Sequence, residues 1–231
     1  MKSILISIVL SAATLAAAAA PDTSEERERT SKAAAALDSI MASPDQEIPK
    51  ELLSKAHGIA VIPNVVKGAF FAGGRFGKGL VSARDENGEW GTPLYVEIGG
   101  GSFGLQIGVE ATDLILVFTE PDGLREMLKD NLKLGADAGA VAGPVGRRVE
   151  AGTNLTFDSP IYSYSRNKGV FAGVSLDGSI LAVDDSANEE VYGKNLTGTD
   201  ILLGRKVAPN DVTRPFIEAL KRNTPPRAET E

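Results

Sequence analysis

The fold is decided by a series of short apolar runs that begins with Gly58-Ile59-Ala60-Val61-Ile62-Pro63. The runs that follow are Ala69-Phe70-Phe71-Ala72, Leu80-Val81-Ser82-Ala83 and Leu94-Tyr95-Val96-Glu97-Ile98. Their length and their content of β-branched and aromatic residues are typical of strands, and glycine, proline and asparagine between them are typical of turns. We therefore predict a β-meander with a hairpin turn at Asn87-Gly88.

The same pattern continues outward on the C-terminal side. We predict further strands at residues 105–109, 114–118, 161–164, 170–174 and 180–183, with a second hairpin turn at Asp177-Gly178. Helices are predicted after Thr23, which opens a capping box with Glu26, after Pro49, and over 121–131, 185–192 and 213–222. The fold class is α+β: a curved, largely antiparallel sheet or partly closed barrel, flanked by a few helices.

The first twenty residues have the composition of an export signal. Lys2 precedes an uncharged stretch from Ile4 to Ala20, which ends in small residues and gives way to polar sequence at Asp22. This pattern predicts a signal peptide, residues 1–19, cleaved near Ala19. The alternative is a transmembrane anchor. Cleavage implies a periplasmic or secreted protein of the bacterial cell envelope.

The remaining chain is long enough for one domain with its own core. We predict an N-terminal helical segment over residues 20–48, a single binding domain over 49–222 and a disordered tail over 223–231. The alanine-rich helix in the first of these segments has a small apolar face, so we expect it to pack against the domain.

Composition excludes several classes of function. The sequence has no cysteine and one histidine, His57, so thiolate metal sites, disulfides and multi-histidine metal sites are impossible. A formal net charge of −7 argues against nucleic acid as a partner, because binding to nucleic acid through bulk charge needs the opposite sign. No cofactor is predicted. A hydrolase that uses His57 as its base remains an alternative.

Three further patterns are weak as motifs. Gly99-x-Gly101-x-x-Gly104 matches the letters of a dinucleotide fingerprint, but strand-like sequence follows it where a helix is required. The segment from Gly73 to Gly79 lacks two required residues of a phosphate loop. Asp184 and Asp185 offer calcium ligands, yet they fit the start of a helix better.

Cations beside hydroxyl groups and turn glycines form the strongest candidate site. Gly143 to Arg148 and Ser163 to Gly169 combine these residue types, and arginine binds phosphate through two parallel hydrogen bonds. Backbone N–H groups in glycine-rich turns also bind anions. The residues predicted to bind ligand are Arg75, Lys78, Arg147, Arg166 and Lys168, with Phe76 and Phe171 as apolar contacts.

Eight short segments, in order, resemble the SYLF domain family of bacterial exported proteins and eukaryotic proteins that bind phosphoinositides and actin. They include Gly58 to Pro63, Gly104 to Glu110, Leu134 to Asp137, Ala142 to Arg147 and Tyr162 to Ser175. The resemblance covers about Leu52 to Leu220. It implies non-enzymatic lipid binding, and because bacteria generally lack phosphoinositide signalling, the expected ligand is another anionic phospholipid, a membrane surface or a lipid-like molecule. The alternative is an envelope structural or protein-interaction module without a lipid ligand.

Overall fold

A computed structural model describes residues 21–42, 47–68, 73–102, 109–135, 139–144, 157–167, 170–174 and 176–227. Within these ranges the chain forms one sheet of nine strands and six helices. The strands are β1 Gly58–Gly68, β2 Gly73–Ala83, β3 Leu94–Ser102, β4 Val109–Phe118, β5 Leu132–Leu134, β6 Ala140–Ala142, β7 Ile161–Asn167, β8 Val170–Gly173 and β9 Ser179–Val183. The helices are α1 Ser24–Met41, α2 Lys50–Lys55, α3 Pro121–Asp130, α4 Asp185–Tyr192, α5 Gly198–Leu202 and α6 Arg214–Asn223.

The strands lie in the order β5-β9-β3-β2-β1-β4-β7-β6, and β8 pairs with β7. Every recorded pairing is antiparallel except that of β6 with β7. The sheet curves into a nearly closed barrel. The predicted α+β class and the curved, largely antiparallel sheet flanked by helices are therefore confirmed.

Alternation of side chains along the strands produces two separate apolar cores. One core takes residues from every strand except β8, together with Leu124 and Met127 of α3 and Ile201 and Leu202 of α5. It fills the inner face of the curved sheet. The other core lies on the outer face, where Leu80, Tyr95, Ile115, Val117 and Tyr164 are buried beneath helices α1, α2 and α6.

Helix α1 packs on the outer face as the sequence predicts. Its alanines allow a close approach, so Ala33, Ala36 and Leu37 are at most 5% exposed. The side chain of Asp38 accepts hydrogen bonds from Arg222 and Asn223 of α6, at 2.9 and 2.6 Å. The first and last helices therefore share one layer.

Several local predictions are wrong. The Thr23 side chain makes no capping hydrogen bond. The hairpin predicted at Asn87-Gly88 does join β2 to the antiparallel β3, and the Asp85 N–H donates to the Glu89 carbonyl across this turn. Its turn type is not the expected type I′, since only Gly88 has a positive φ. Asp177-Gly178 turns the chain without forming a hairpin, because β8 pairs with β7 whereas β9 pairs with β3 and β5.

Other predictions lie outside the described residues. These are the signal peptide and the strands predicted at 69–72 and 105–109, except for Val109, which begins β4. The short strands β5 and β6 and the helix α5 were not predicted. Their signals are weak, because β5 and β6 have three residues each and α5 has five.

Candidate functional site

The candidate site lies at the end of the sheet where β1 ends and β2 begins. At this end, Gly68 of β1 is opposite Gly74 of β2 and Val109 of β4, and Ser102 of β3 is opposite Gly73. We call it the open end. Helices α1, α2 and α6 cover the other half of the outer face. Strand residues there, such as Leu80 and Ile115, belong to the outer core.

A row of apolar residues crosses the outer face near the open end. Phe76 of β2 is in register with Val66 of β1 and Gly99 of β3, Val66 with Ala111 of β4, and Gly99 with Ile180 of β9. The exposed fractions are 54% for Phe76, 42% for Val66 and 41% for Ile180. We call these five positions the apolar row. A contiguous exposed strip of this kind is typical of a contact surface, whereas single exposed apolar residues are ordinary.

Glycines beside Phe76 leave the sheet backbone uncovered. Gly74 precedes Phe76 on β2 by two residues, and Gly99 and Gly101 lie on β3, all on the outer face. A Cβ atom placed on any of these three glycines would meet no atom within 4 Å. We call these three glycines the glycine floor. The Phe76 ring therefore lies beside exposed backbone, onto which an apolar group of a ligand or partner can pack.

The next row toward the helices is charged, and its cations are already paired. Lys78 Nζ and an Arg29 guanidinium nitrogen of α1 each donate to Asp184 Oδ2 at 2.9 Å. Burial tends to raise the pKa of Asp184, but hydrogen bonds from Lys78, the Ala187 N–H and Arg29 outweigh it and lower the pKa below the ordinary 3.8. Lys78 therefore serves an internal ion pair and is 41% exposed at its side chain.

Arg166 of β7 also faces a carboxylate. Its Nε lies 3.8 Å from Asp113 Oδ2, and Asp113 Oδ1 accepts a hydrogen bond from the Asn64 N–H at 3.1 Å. Phe171 of β8 is in register with Arg166. The predicted pair Arg166 and Phe171 is thus placed on adjacent strands, next to the row that contains Lys78.

Arg75 faces the opposite side of the sheet. It lies one residue from Phe76 on β2, so its side chain points to the inner face, where it is 9% exposed and donates to Ser179 Oγ at 2.9 Å. Burial lowers the pKa of its guanidinium. The sequence placed Arg75 and Lys78 in a glycine-rich turn, which is wrong because both lie within β2, on opposite faces.

The structure thus brings some of the predicted ligand-binding residues together and separates others. Phe76, Lys78 and Arg166 are on the outer face near the open end, whereas Arg75 is inside the curve. Arg147 and Lys168 lie outside the described residues, and of Phe171 the structure describes the strand position. Sequence reasoning does not identify Val66, Ile180 or Arg29, because these have the composition of ordinary strand and helix residues until the register is known. It considers Asp184 only as a calcium ligand or a helix start, and not as the partner of Lys78.

His57 is engaged away from the open end. Its Nε2 lies 2.7 Å from a guanidinium nitrogen of Arg227, and burial followed by the charge of Arg227 lowers the pKa of the imidazole. Arg227 belongs to a C-terminal segment that is also bound by Arg84, which donates to the Pro225 carbonyl at 2.5 Å. Within the described ranges, no cluster of acidic or histidine residues suits a metal ion. None of the described helices is long and apolar enough to cross a membrane.

Comparison with known families now identifies the chain. Residues 99–223, which run from the glycine floor of β3 to the end of α6, match the family model Ysc84, described as a Las17-binding protein actin regulator. The chain belongs to the Ysc84 (SYLF) family. The match includes Gly99, Gly101 and Ile180 at the open end.

Relatives in the Ysc84 family extend the similarity to the N-terminal strands. SH3 domain-containing YSC84-like protein 1 of Bos taurus is 34% identical over 173 residues, which is 74% of this chain and 49% of the relative. Protein YSC84 of Saccharomyces cerevisiae is 35% identical over 191 residues, 79% and 41% of the two chains. LAS seventeen-binding protein 3 of the same yeast is 32% identical over 203 residues, 84% and 44%. The chain spans less than half the length of these relatives, and neither their names nor the family description denotes an enzyme.

Proposed function

We propose that this protein binds anionic phospholipid membranes without catalysing a reaction, and that the open end of its sheet is the contact surface. The observation that carries the proposal is the apolar row, with Phe76 standing 54% exposed beside the glycine floor. Exposed aromatic and aliphatic side chains at one end of a domain gain free energy when they enter the apolar part of a membrane interface. Full burial of a phenylalanine side chain contributes about 1.5–3 kcal/mol.

The amino-acid sequence between these strands supports the same proposal. Residues 69–72, between β1 and β2, include Phe70 and Phe71, and residues 103–108, between β3 and β4, include Phe103, Leu105 and Ile107. Both segments lie outside the described residues, and their composition is apolar.

Local cations supply the preference for anionic lipid. Lys133 of β5 is exposed and is in register with Ile180 of the apolar row. Each lysine or arginine near an anionic membrane contributes on the order of 1 kcal/mol. Because the whole chain has a net charge of −7, attraction depends on this local arrangement and falls as salt rises.

Export gives the setting for this function. The uncharged stretch from Ile4 to Ala20 behind Lys2 supports a signal peptide that is cleaved near Ala19, which would release the domain into the periplasm or outside the cell. Its membrane would then be a leaflet of the bacterial envelope.

A protein partner is the second candidate, favoured by the names of the relatives. The family description and LAS seventeen-binding protein 3 both name a protein as the binding partner. A flat apolar strip with a polar border also suits a protein interface. For this chain the partner would be an envelope protein that docks on the apolar row.

Vesicle co-sedimentation tests the membrane proposal. Purified protein is mixed at low salt with vesicles of phosphatidylcholine alone, or with phosphatidylglycerol added. We expect sedimentation with the anionic vesicles, and in Phe76→Ser a dissociation constant at least about ten-fold higher, because one buried aromatic group is lost. Leu203→Ser is the matched control, since Leu203 is 40% exposed but follows α5, away from the open end.

Two results would contradict the proposal. One is failure of anionic vesicles to recruit the wild-type protein at low salt. The other is equal binding by the Phe76→Ser and Leu203→Ser variants. Absence of vesicle binding, together with capture of an envelope protein that Phe76→Ser abolishes, would favour the protein-interaction function instead.

A further inference from the structure

Arg75 carries a charge that the described part of the protein does not neutralise. Its side chain is 9% exposed, its recorded hydrogen bond goes to the neutral hydroxyl of Ser179, and no ion pair to it is recorded among the described residues. Among the other buried or half-buried cations, Arg29 and Lys78 share the carboxylate of Asp184. Arg84 is also buried without a recorded ion pair, but it donates to three oxygen acceptors and lies over the Trp90 ring, whereas Arg75 has one recorded acceptor. A buried guanidinium is costly to desolvate unless its donors are satisfied, so one with a single recorded acceptor is unusual in a structural role.

The strand register places no acidic residue opposite Arg75. The residues directly opposite it are Lys67 of β1 and Gly100 of β3, and Gly100 is in turn opposite Ser179. Neither strand next to β2 therefore offers a carboxylate in register with Arg75.

The space in front of Arg75 is small and lined with hydroxyl groups. Thr112 and Ser165 line it together with Arg75, and its remaining walls are the aliphatic side chains of Val65, Leu114, Val174 and Leu176. The cavity volume is about 10 Å³, which is room for a single water molecule. An anion larger than water would therefore bind at the mouth of this cavity, in front of the guanidinium.

We propose that Arg75 is the receptor for one phosphate group that approaches the inner face from the open end. A guanidinium offers two parallel N–H donors to phosphate oxygens, and the hydroxyls of Ser179, Thr112 and Ser165 can donate to the others. A carboxylate has two oxygens and would leave some of these donors unused, so phosphate suits the site better. That the phosphate belongs to a lipid headgroup rests on the proposed membrane function. The phosphate-binding chemistry of the site does not depend on that function.

Together with the apolar row, this site would hold a phospholipid from two sides of one strand. Phe76 and Arg75 are consecutive residues of β2 and face outward and inward. The outer residue would contact acyl chains, and the inner residue would bind the phosphate at the rim of the sheet. The spacing of one residue fixes the two contacts relative to each other.

Isothermal titration calorimetry tests the site with two probes, inorganic phosphate and dihexanoyl phosphatidic acid below its micelle concentration. We expect the wild-type protein to bind at least the lipid probe, and Arg75→Met to bind it at least ten-fold more weakly. Ser179→Ala should weaken binding several-fold while it leaves the charge in place. Arg125→Met is the control, since Arg125 is an exposed cation of α3 whose partner is the nearby Asp122, and it should bind like the wild type.

The melting temperature separates binding from a structural role. Removal of a buried, unpaired charge should leave the melting temperature of Arg75→Met unchanged or higher. Binding of both probes that depends on Arg75 would show a general phosphate site, and binding of the lipid alone would show a headgroup site. Failure of both probes to bind, or equal binding by Arg75→Met and Arg125→Met, would overturn the inference.

The outcome is independent of the vesicle experiment. Recruitment to anionic vesicles without Arg75-dependent phosphate binding would refute this site and leave the membrane function standing. Phosphate binding that persists in Phe76→Ser, together with no vesicle recruitment of the wild type, would refute the membrane function and leave the phosphate site standing.

Discussion

The two halves of the outer face differ although the same strands build both. On β2, Leu80 is completely buried beneath the helices, while Phe76, four residues earlier on the same face, is 54% exposed. On β1, Val61 is buried and Val66 is 42% exposed. The composition of the strands does not separate core from surface here. Coverage by α1, α2 and α6 separates them. The half that these helices leave uncovered exposes apolar side chains, as an unoccupied binding surface does.

The largest expected effect is in the covered half. Leu37 of α1 is 0% exposed, so Leu37→Ala should lower the free energy of unfolding by about 3 kcal/mol, through lost burial and the cavity left behind. Urea unfolding followed by circular dichroism measures this. In the open half, Phe76→Ser should change the free energy of unfolding by no more than about 0.5 kcal/mol. Similar losses in both variants would mean that the two halves do not differ in the way described.

The next effect concerns the border between the halves. Asp184→Asn keeps an acceptor for the Ala187 N–H at the start of α4 but removes the charge shared by Arg29 and Lys78. We expect a loss of about 2 kcal/mol at pH 7, because two cations lose their carboxylate in a partly buried site.

The pH dependence of this loss has a defined sign. The pKa of Asp184 is lower in the folded protein than the ordinary 3.8, so its contribution is complete above about pH 4 and disappears as the pH falls through the folded pKa. The difference in stability between wild type and Asp184→Asn should therefore be constant from pH 5 to 8 and shrink below pH 4. A difference that grows on acidification would contradict this assignment.

The smallest effect is at the glycine floor. A Cβ on Gly99 would meet no atom within 4 Å, so Gly99→Ala should change the free energy of unfolding by less than about 0.5 kcal/mol. Its control on the inner face is Gly79→Ala, whose Cβ would overlap the Val61 carbonyl oxygen and come within 2.7 Å of Ile62 Cα. That variant should lose about 1–3 kcal/mol by overpacking. Equal stability of the two variants, measured by thermal unfolding, would show that the floor is not open.

Local sequence patterns predicted most of the elements, because each element depends on residues close to it in the chain. The apolar runs predicted β1 and the buried parts of β2, β3 and β4, and Pro121 and Thr213 marked the starts of α3 and α6. Pairing between strands depends on residues far apart. For this reason Asp177-Gly178 predicted a hairpin between β8 and β9, whereas β8 pairs with β7 and β9 pairs with β3.

The candidate site was harder to predict than the fold for the same reason. The cations were recognised by residue type, but their partners were not visible, since Asp184 lies 106 residues from Lys78. Arg75 and Lys78 were assigned to one turn, and strand alternation instead sends them to opposite faces. Phe76 was identified from its neighbours in sequence, while Val66 and Ile180 become its neighbours only through the register of β1, β3 and β9.

The shared layer of α1 and α6 also bears on how the protein folds. Arg222 and Asn223 bind Asp38 across 184 and 185 residues of sequence, so the first helix acquires these contacts only after the last helix has been made. Contacts of such long sequence separation slow folding. We expect the helical layer on the outer face to be completed only after α6 has been synthesised.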